Sequence, residues 1–122
     1  MAPAVEALRG ATTVDDDAED QITERVQELV GEMMARNDIA HDDIISIIFT
    51  ATEDLVAIFP AAAARGVGLG DVPMLCAREL SVEGGTPKCL RVLMHVNTGR
   101  ARRDLRHVYL HGAQGLRDDL PG

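Results

Sequence analysis

Between Ile22 and Met34 the apolar side chains return at Ile22, Val26, Leu29, Val30, Met33 and Met34, in steps of four, three, one, three and one. That spacing predicts an amphipathic helix of about five turns. Upstream, Asp15-Asp16-Asp17 supplies N-cap candidates, and Glu19 or Asp20 places negative charge at the positive end of the helix dipole. Asn37-Asp38 marks the stop, and the methionines at this spacing belong to the core. Ile44 to Ala51 is a β-branched apolar run, the pattern of a buried central strand. From Lys88 to Asn97 the period is two. Leu90, Val92, Met94 and Val96 share one face, and Cys89, Arg91, Leu93 and His95 the other.

Shorter segments complete the order. Ala4 to Ala11 reads as a strand ending at Arg9-Gly10. After a polar turn at Thr52-Glu53-Asp54, Pro60 opens a short helix that runs through Arg65. Gly66, Gly68 and Gly70 mark its exit loop, and Val72 to Ala77 reads as a strand. Gly84-Gly85 is a turn, and Arg106 to His111 a last strand with Val108 and Leu110 opposed by His107 and Tyr109. The order β-α-β-α-β-β-β predicts an α+β domain: one mixed β-sheet with its helices on one side. The other face of such a sheet needs cover, which oligomerisation would supply.

At 122 residues the chain is expected to be a single domain, residues 1–122, with a polar tail from about residue 118 that frays. Aromatic residues are 2% of the chain, too few for the stacking platforms of a single-strand nucleic-acid binder. A formal charge of −8 argues against a phosphate-backbone partner, so no nucleic acid is expected. Eleven of the twelve cations are nonetheless Arg. A GC-rich genome produces that bias without any function. Convergence of a few of them would instead build a local site for a small anion. Cys76 and Cys89 form no disulfide framework or metal-ligand pattern, and no run approaches 18 apolar residues. The expectation is a reduced, cytoplasmic, soluble protein with no membrane association.

Candidate chemistry centres on Arg91, which interrupts an otherwise apolar strand. An Arg in such a place is either paired within the chain, with Glu79 as a candidate partner, or aimed at a bound anion, because an unpaired charge in a core costs several kcal/mol. Arg9, at the end of the first strand, invites the same two readings. Cys76 on its own reads as a small hydrophobe, and Tyr109 as a phenol in search of a surface partner. His41, His95, His107 and His111 are scattered without metal-ligand spacing and read as structural. No nucleophile elbow, P-loop or dinucleotide-binding glycine pattern is present.

Five segments carry a resemblance. Arg9-Gly10-Ala11-Thr12-Thr13 follows the first strand. Thr50-Ala51-Thr52-Glu53-Asp54-Leu55 leads to Phe59-Pro60-Ala61 and Arg65. Val72-Pro73, Cys76 and Glu79 lead into Gly84-Gly85 and then Cys89-Leu90-Arg91-Val92. Arg106-His107-Val108-Tyr109-Leu110 and Leu116-Arg117 close the series. In order and spacing the chain resembles the small, trimeric Bacillus-type chorismate mutases. The resemblance implies a ferredoxin-like, chorismate-mutase-like sheet closed into a trimeric pseudo-α/β barrel. It also implies a cofactor-free and metal-free rearrangement of chorismate to prephenate in sites at the subunit interfaces.

By the same resemblance Arg91 and Glu79 are catalytic. Arg91 meets the ether oxygen of the breaking bond, and Glu79 the ring hydroxyl and the positive charge that develops on the ring. Arg9 and Tyr109 bind the side-chain carboxylate, and Cys76 helps at the ring hydroxyl. Those five are implied to come from one chain, and Phe59, Ala61 and Arg65 from the neighbour. Met74, Leu75 and Leu116 line the pocket, and Arg117 joins Arg65 at its mouth. Ala62 and Leu75 depart from the Bacillus pattern, replacing a Lys and a hydroxyl-bearing residue. The competing expectation is a non-catalytic trimeric module of the same fold that binds a carboxylate.

Overall fold

The computed structural model describes residues 3–116. Its strands are β1 (Ala4–Thr13), β2 (Ile44–Ala51), β3 (Met74–Arg78), β4 (Cys89–Thr98) and β5 (Val108–Tyr109), and its helices α1 (Glu19–Arg36) and α2 (Pro60–Ala64). They form one sheet in the order β3-β2-β4-β1-β5. β4 runs antiparallel to both β1 and β2, while β3 and β5 lie parallel to β2 and β1. This is the mixed sheet with helices on one side that the patterning predicts. Among the described residues no helix is long and apolar enough to cross a membrane.

The alternation in β4 decides which face is covered. Leu90, Val92, Met94 and Val96 are buried, with Leu8 of β1 and Ile47 and Phe49 of β2 beside them. The stripe of α1 lies in the same core through Ile22, Val26, Leu29, Val30 and Met33. Gly10 lets the helix come close, since a side chain there would meet Met33 Sδ at 2.5 Å and Leu29 Cδ1 at 3.1 Å. α2 starts on Pro60 and buries Ala61, Ala63 and Ala64; small side chains allow its close packing against α1, where Gln27 Nε2 donates to the Ala63 carbonyl at 3.1 Å. Gly68, at φ 92°, carries the chain out of this helix.

Three expectations shift. The acidic cluster does not cap α1: the N-cap is Ala18, without a side-chain cap bond. Asp17 Oδ1 instead accepts the backbone N–H groups of Val56 and Ala57, at 3.0 Å each, and ties that loop to the helix start. β3 begins later than Val72, because Pro73 contributes only its carbonyl, to Ile47 N–H at 3.0 Å. The last strand shrinks to Val108–Tyr109. Asn37, buried at the end of α1, holds Arg106 from both sides: Oδ1 accepts the Arg106 N–H at 2.7 Å and Nδ2 donates to its carbonyl at 2.9 Å. Residue 106 is thus bound to the helix rather than to β1. Beyond Leu110 the chain turns at His111, where φ is 52°.

Replacing Asn37 by Ala strips partners from the Met33 and Arg106 backbone groups in a site shielded from water. A loss of about 1–3 kcal/mol is expected in urea unfolding. An unchanged midpoint would mean that water replaces the amide without cost.

Candidate active site

On the face of the sheet that the helices leave open, register collects the polar residues into a row. Ala77 of β3 pairs with Thr50 of β2, Thr50 with Arg91 of β4, Arg91 with Ala11 of β1, and Ala11 with Tyr109 of β5. One row over lie Leu75, Ile48, Leu93 and Arg9. Side chains in one row of a pleated sheet point the same way, so five strands deliver their groups to one place. An open cleft of ≈ 340 Å³ results, with Arg9, Ile48, Thr50, Glu79, Arg91 and Tyr109 in its lining.

At its centre Arg91 Nε stands 3.3 Å from Glu79 Oε2. The same oxygen accepts the Thr50 hydroxyl at 2.7 Å, and the Glu79 backbone N–H donates to the Ala51 carbonyl at 2.9 Å. The carboxylate is therefore held from its backbone and from one oxygen. The two side chains are 45% and 26% exposed, so water reaches the pair and its net contribution to stability is small.

The start of β4 is pinned beside this pair. Thr52 N–H donates to the Cys89 carbonyl and Cys89 N–H to Thr52 Oγ1, both at 3.0 Å. Asp54 Oδ2 accepts the Lys88 N–H at 2.9 Å, in a residue whose φ is 47°. Desolvation is the largest single influence and acts to raise the Asp54 carboxyl, but the bonds from the Thr52 hydroxyl, the Lys88 N–H and its own N–H, with the Lys88 charge, together outweigh it and hold the group below its ordinary 3.8. Burial pushes the Cys89 thiol above 9.0, the Arg91 charge opposing. At the other side of the cleft His107 Nδ1 accepts the Arg9 backbone N–H at 3.0 Å, and burial pushes that imidazole below its ordinary 6.5.

The remaining candidates do not gather in this cleft within one chain. Cys76 pairs with the core residue Phe49, one step out of phase with the Thr50–Arg91 row, and so points to the opposite face at the sheet edge. There it lines a second cleft, of ≈ 620 Å³, with Ile58, Phe59 and Arg78, so the expectation that Cys76 shares one chain's cleft with Arg9, Glu79, Arg91 and Tyr109 is not met. Phe59 is 72% exposed and Arg65 is exposed, whereas Ala61 is packed into its own core. Met74 is half-buried against the core, Leu75 is 69% exposed, and Leu116 is half-buried. Arg117 and the tail from residue 118 lie outside the described residues. Arg78 donates to the Thr52 carbonyl and, at 3.0 Å, to that of Leu55, which commits its guanidinium to the loop. Among the described residues no group of three or more His, Cys, Asp or Glu is disposed to hold a metal ion.

The profile of the family described as chorismate mutase type I matches residues 5–120. The chain belongs to the type I chorismate mutases. Its reaction is accordingly an isomerisation. The chain is 44% identical to the chorismate mutase AroH of Thermus thermophilus over 117 residues, 95% of this chain and 96% of that relative. It is 39% identical to the AroH chorismate mutase of Bacillus subtilis, over 95% of this chain and 92% of that one. Among solved structures, the chorismate mutase from Clostridium thermocellum superposes with a TM-score of 0.88 at 50% identity, covering 89% of this chain and 97% of that one.

For a chorismate mutase chain of this kind, Thr50 in the cleft and His107 on the backbone of Arg9 carry little local signal in the sequence. Thr50 was visible only as part of a motif; the signal that could have found it is its place in the alternation of β2, once β2 is known to lie beside β4. No spacing in the sequence relates His107 to Arg9.

The titration of His107 gives a checkable consequence. Above about pH 6.5 neither the folded nor the unfolded chain holds this proton, and the contribution to stability is complete. Below 6.5 the unfolded chain protonates first, so stability falls until the folded imidazole is protonated too. Urea midpoints between pH 5 and pH 7.5 should therefore decline more steeply on acidification for the parent chain than for His107→Asn. Parallel declines would place the dependence elsewhere.

Proposed function

We propose that the open sheet face binds chorismate and accelerates its concerted Claisen rearrangement to prephenate, with Arg91 and Glu79 as the catalytic pair. The observation that carries this reading is the Arg91–Glu79 pair itself, braced by Thr50 and flanked in one cleft by Arg9 and Tyr109. A pericyclic rearrangement transfers no proton and forms no covalent intermediate. An enzyme accelerates it by holding the substrate in the reactive chair and by favouring the charge that separates as the C–O bond breaks. The Arg91 guanidinium serves the ether oxygen, where negative charge grows. Glu79 accepts the ring hydroxyl and faces the positive charge on the ring, and Arg9 and Tyr109 take the side-chain carboxylate. Thr50 keeps the Glu79 carboxylate turned into the cleft. A module that only bound a carboxylate would gain nothing from Glu79.

We further propose that the working unit, built from this one domain in the cytoplasm, is a homotrimer whose sites lie between subunits. Among the described residues, none from the chain's own Phe59 loop lines the arginine-lined cleft. The Phe59 cleft has apolar walls but its one Arg is bound to loop carbonyls. Each is the missing part of the other. Exposed Val5 and Leu75 on and beside the open face, 60% and 69% exposed, and Phe59 and Val56, both 72%, supply apolar surface for the contact. In this arrangement Phe59 and Arg65 enter a neighbour's cleft, with Ala61 supporting them from beneath. Cys76 reaches the ring hydroxyl from the same half, Met74, Leu75 and Leu116 line the walls, and Arg117 joins Arg65 at the mouth.

Purified protein should consume chorismate, followed by its ultraviolet absorbance, without added metal or nucleotide. Consumption at the spontaneous rate would leave only the binding-module reading. Arg91→Lys keeps the charge but loses the planar two-pronged donor, and a loss of about 3 kcal/mol or more of transition-state stabilisation is expected in kcat/KM. Near-normal turnover would remove Arg91 from its role. Sedimentation equilibrium should return three times the chain mass, and Arg65→Ala should raise KM with little change in kcat, since it meets the bound anion in ground and transition states alike. A monomer with full activity would refute the shared site.

A further inference from the structure

We propose that His107 is a positioning residue: as the neutral tautomer with its proton on Nε2, it fixes Arg9 and Tyr109 relative to one another as a carboxylate clamp. The proposal rests on the reading above, in which those two residues hold the substrate's side-chain carboxylate.

The strand β5 is only two residues long. Arg9 and Tyr109 sit on adjacent parallel strands, but the ladder between them has only two pairs, Gly10 with Val108 and Ala11 with Tyr109. On the far side of Tyr109 the pairing is continued by a backbone bond, from Leu110 N–H to the Ala11 carbonyl at 2.9 Å. On the near side no such bond is made. The chain there is drawn toward the end of α1 by Asn37, which occupies both the N–H and the carbonyl of Arg106. A carbonyl tied to the helix does not reach β1, which leaves the Arg9 N–H open to another acceptor.

The imidazole of His107 supplies it, at 3.0 Å through Nδ1. An N–H donor requires a ring nitrogen without a proton, so the bond selects the tautomer protonated at Nε2. The half-buried position, which disfavours the charged ring, works in the same direction. His107 thus replaces a ladder bond that Asn37 has taken away. It stands directly before the Val108–Tyr109 strand and bonds to the backbone of Arg9 itself. The bond leaves the Arg9 guanidinium unoccupied by His107. Its effect on a ligand is therefore indirect, through the separation and orientation of the two clamp residues.

A group that positions binding residues used equally in ground and transition states acts on KM rather than on kcat. His107→Ala should raise KM for chorismate about tenfold, the scale of one lost hydrogen bond, with kcat within about twofold of the parent. His107→Asn places an oxygen acceptor close to the position of Nδ1 and should restore most of the KM. Two measurements need no variant. Nitrogen-15 shifts of the imidazole should show an unprotonated, hydrogen-bonded Nδ1, and the Arg9 amide should be protected from hydrogen exchange. The proposal is overturned by any of four results: a proton on Nδ1, an Arg9 amide exchanging like an exposed one, equal KM values for the Ala and Asn variants, or a fall in kcat at constant KM. Arg9→Ala separates the two levels of the reading. If it leaves KM unchanged there is no clamp, and both fail; if it raises KM while His107→Ala does not, the clamp stands and the positioning role alone fails.

Discussion

The pleat of β4 is the constraint on which the rest of this molecule depends, because one ten-residue strand supplies both the centre of the core and the centre of the cleft. Leu90, Val92, Met94 and Val96 face α1, and Arg91 and Leu93 face away. A slip of one residue would exchange the two sets and put a guanidinium under the helix, at a cost of several kcal/mol. The register is accordingly held from three directions at the start of the strand. Lys88 carbonyl accepts from Val14 N–H at 3.0 Å, Cys89 exchanges two bonds with Thr52, and Asp54 holds the Lys88 N–H. Core packing and site geometry are in this sense one requirement, since any shift that spoils the first also removes Arg91 from Glu79.

Charge is organised in the same economical way. The chain is acidic as a whole, and much of its Arg surplus is paired on the surface. Arg36 lies 3.1 Å from Glu32 one helical turn away, Arg100 pairs with Asp38, Arg25 with Asp15, and Arg102 with Glu6. Exposed pairs such as Arg36–Glu32 and Arg100–Asp38 contribute little to stability, whereas Arg25 is itself largely buried. Arg91 differs in its setting rather than in its partner. Its carboxylate is braced by a hydroxyl and a backbone bond, so the ion pair is a fixed dipole in a cleft and not a flexible surface contact. Pre-arranged charge of that kind is what a rearrangement with separating charge requires.

The two readings left open for Arg91, an internal pair or a cation for an anion, turn out to be compatible. Glu79 is its partner, and both line an open cleft. The elements themselves were legible: the helical stripe from Ile22 to Met34, the β-branched run of β2 and the two faces of β4 all appear where periodicity puts them. What was not legible depends on contacts between distant segments. No local rule shows that Asp17 binds the loop at Val56 and Ala57 instead of capping α1, that Asn37 shortens the last strand by holding Arg106, or that His107 meets Arg9. Cys76 shows the same limit in a different form. Its motif is plain, but whether it joins Arg91 or Phe59 is a matter of pleat phase between β3 and β2, which only pairing reveals.

By itself the sequence determined the period of each element, the sidedness of the sheet and the segments that mark a chorismate mutase, because alternation and helical spacing are local properties of the chain. The tertiary structure alone decided which residues share a row. That is a question of strand order and register, set by the fit of α1 over Gly10 and by side-chain bonds spanning 69 residues from Asn37 to Arg106 and 98 from Arg9 to His107. Such bonds form only after the chain has folded back on itself; they place Tyr109 beside Arg9, while the pairing of β4 with β1 and β2 brings Arg91 and Glu79 to the same cleft.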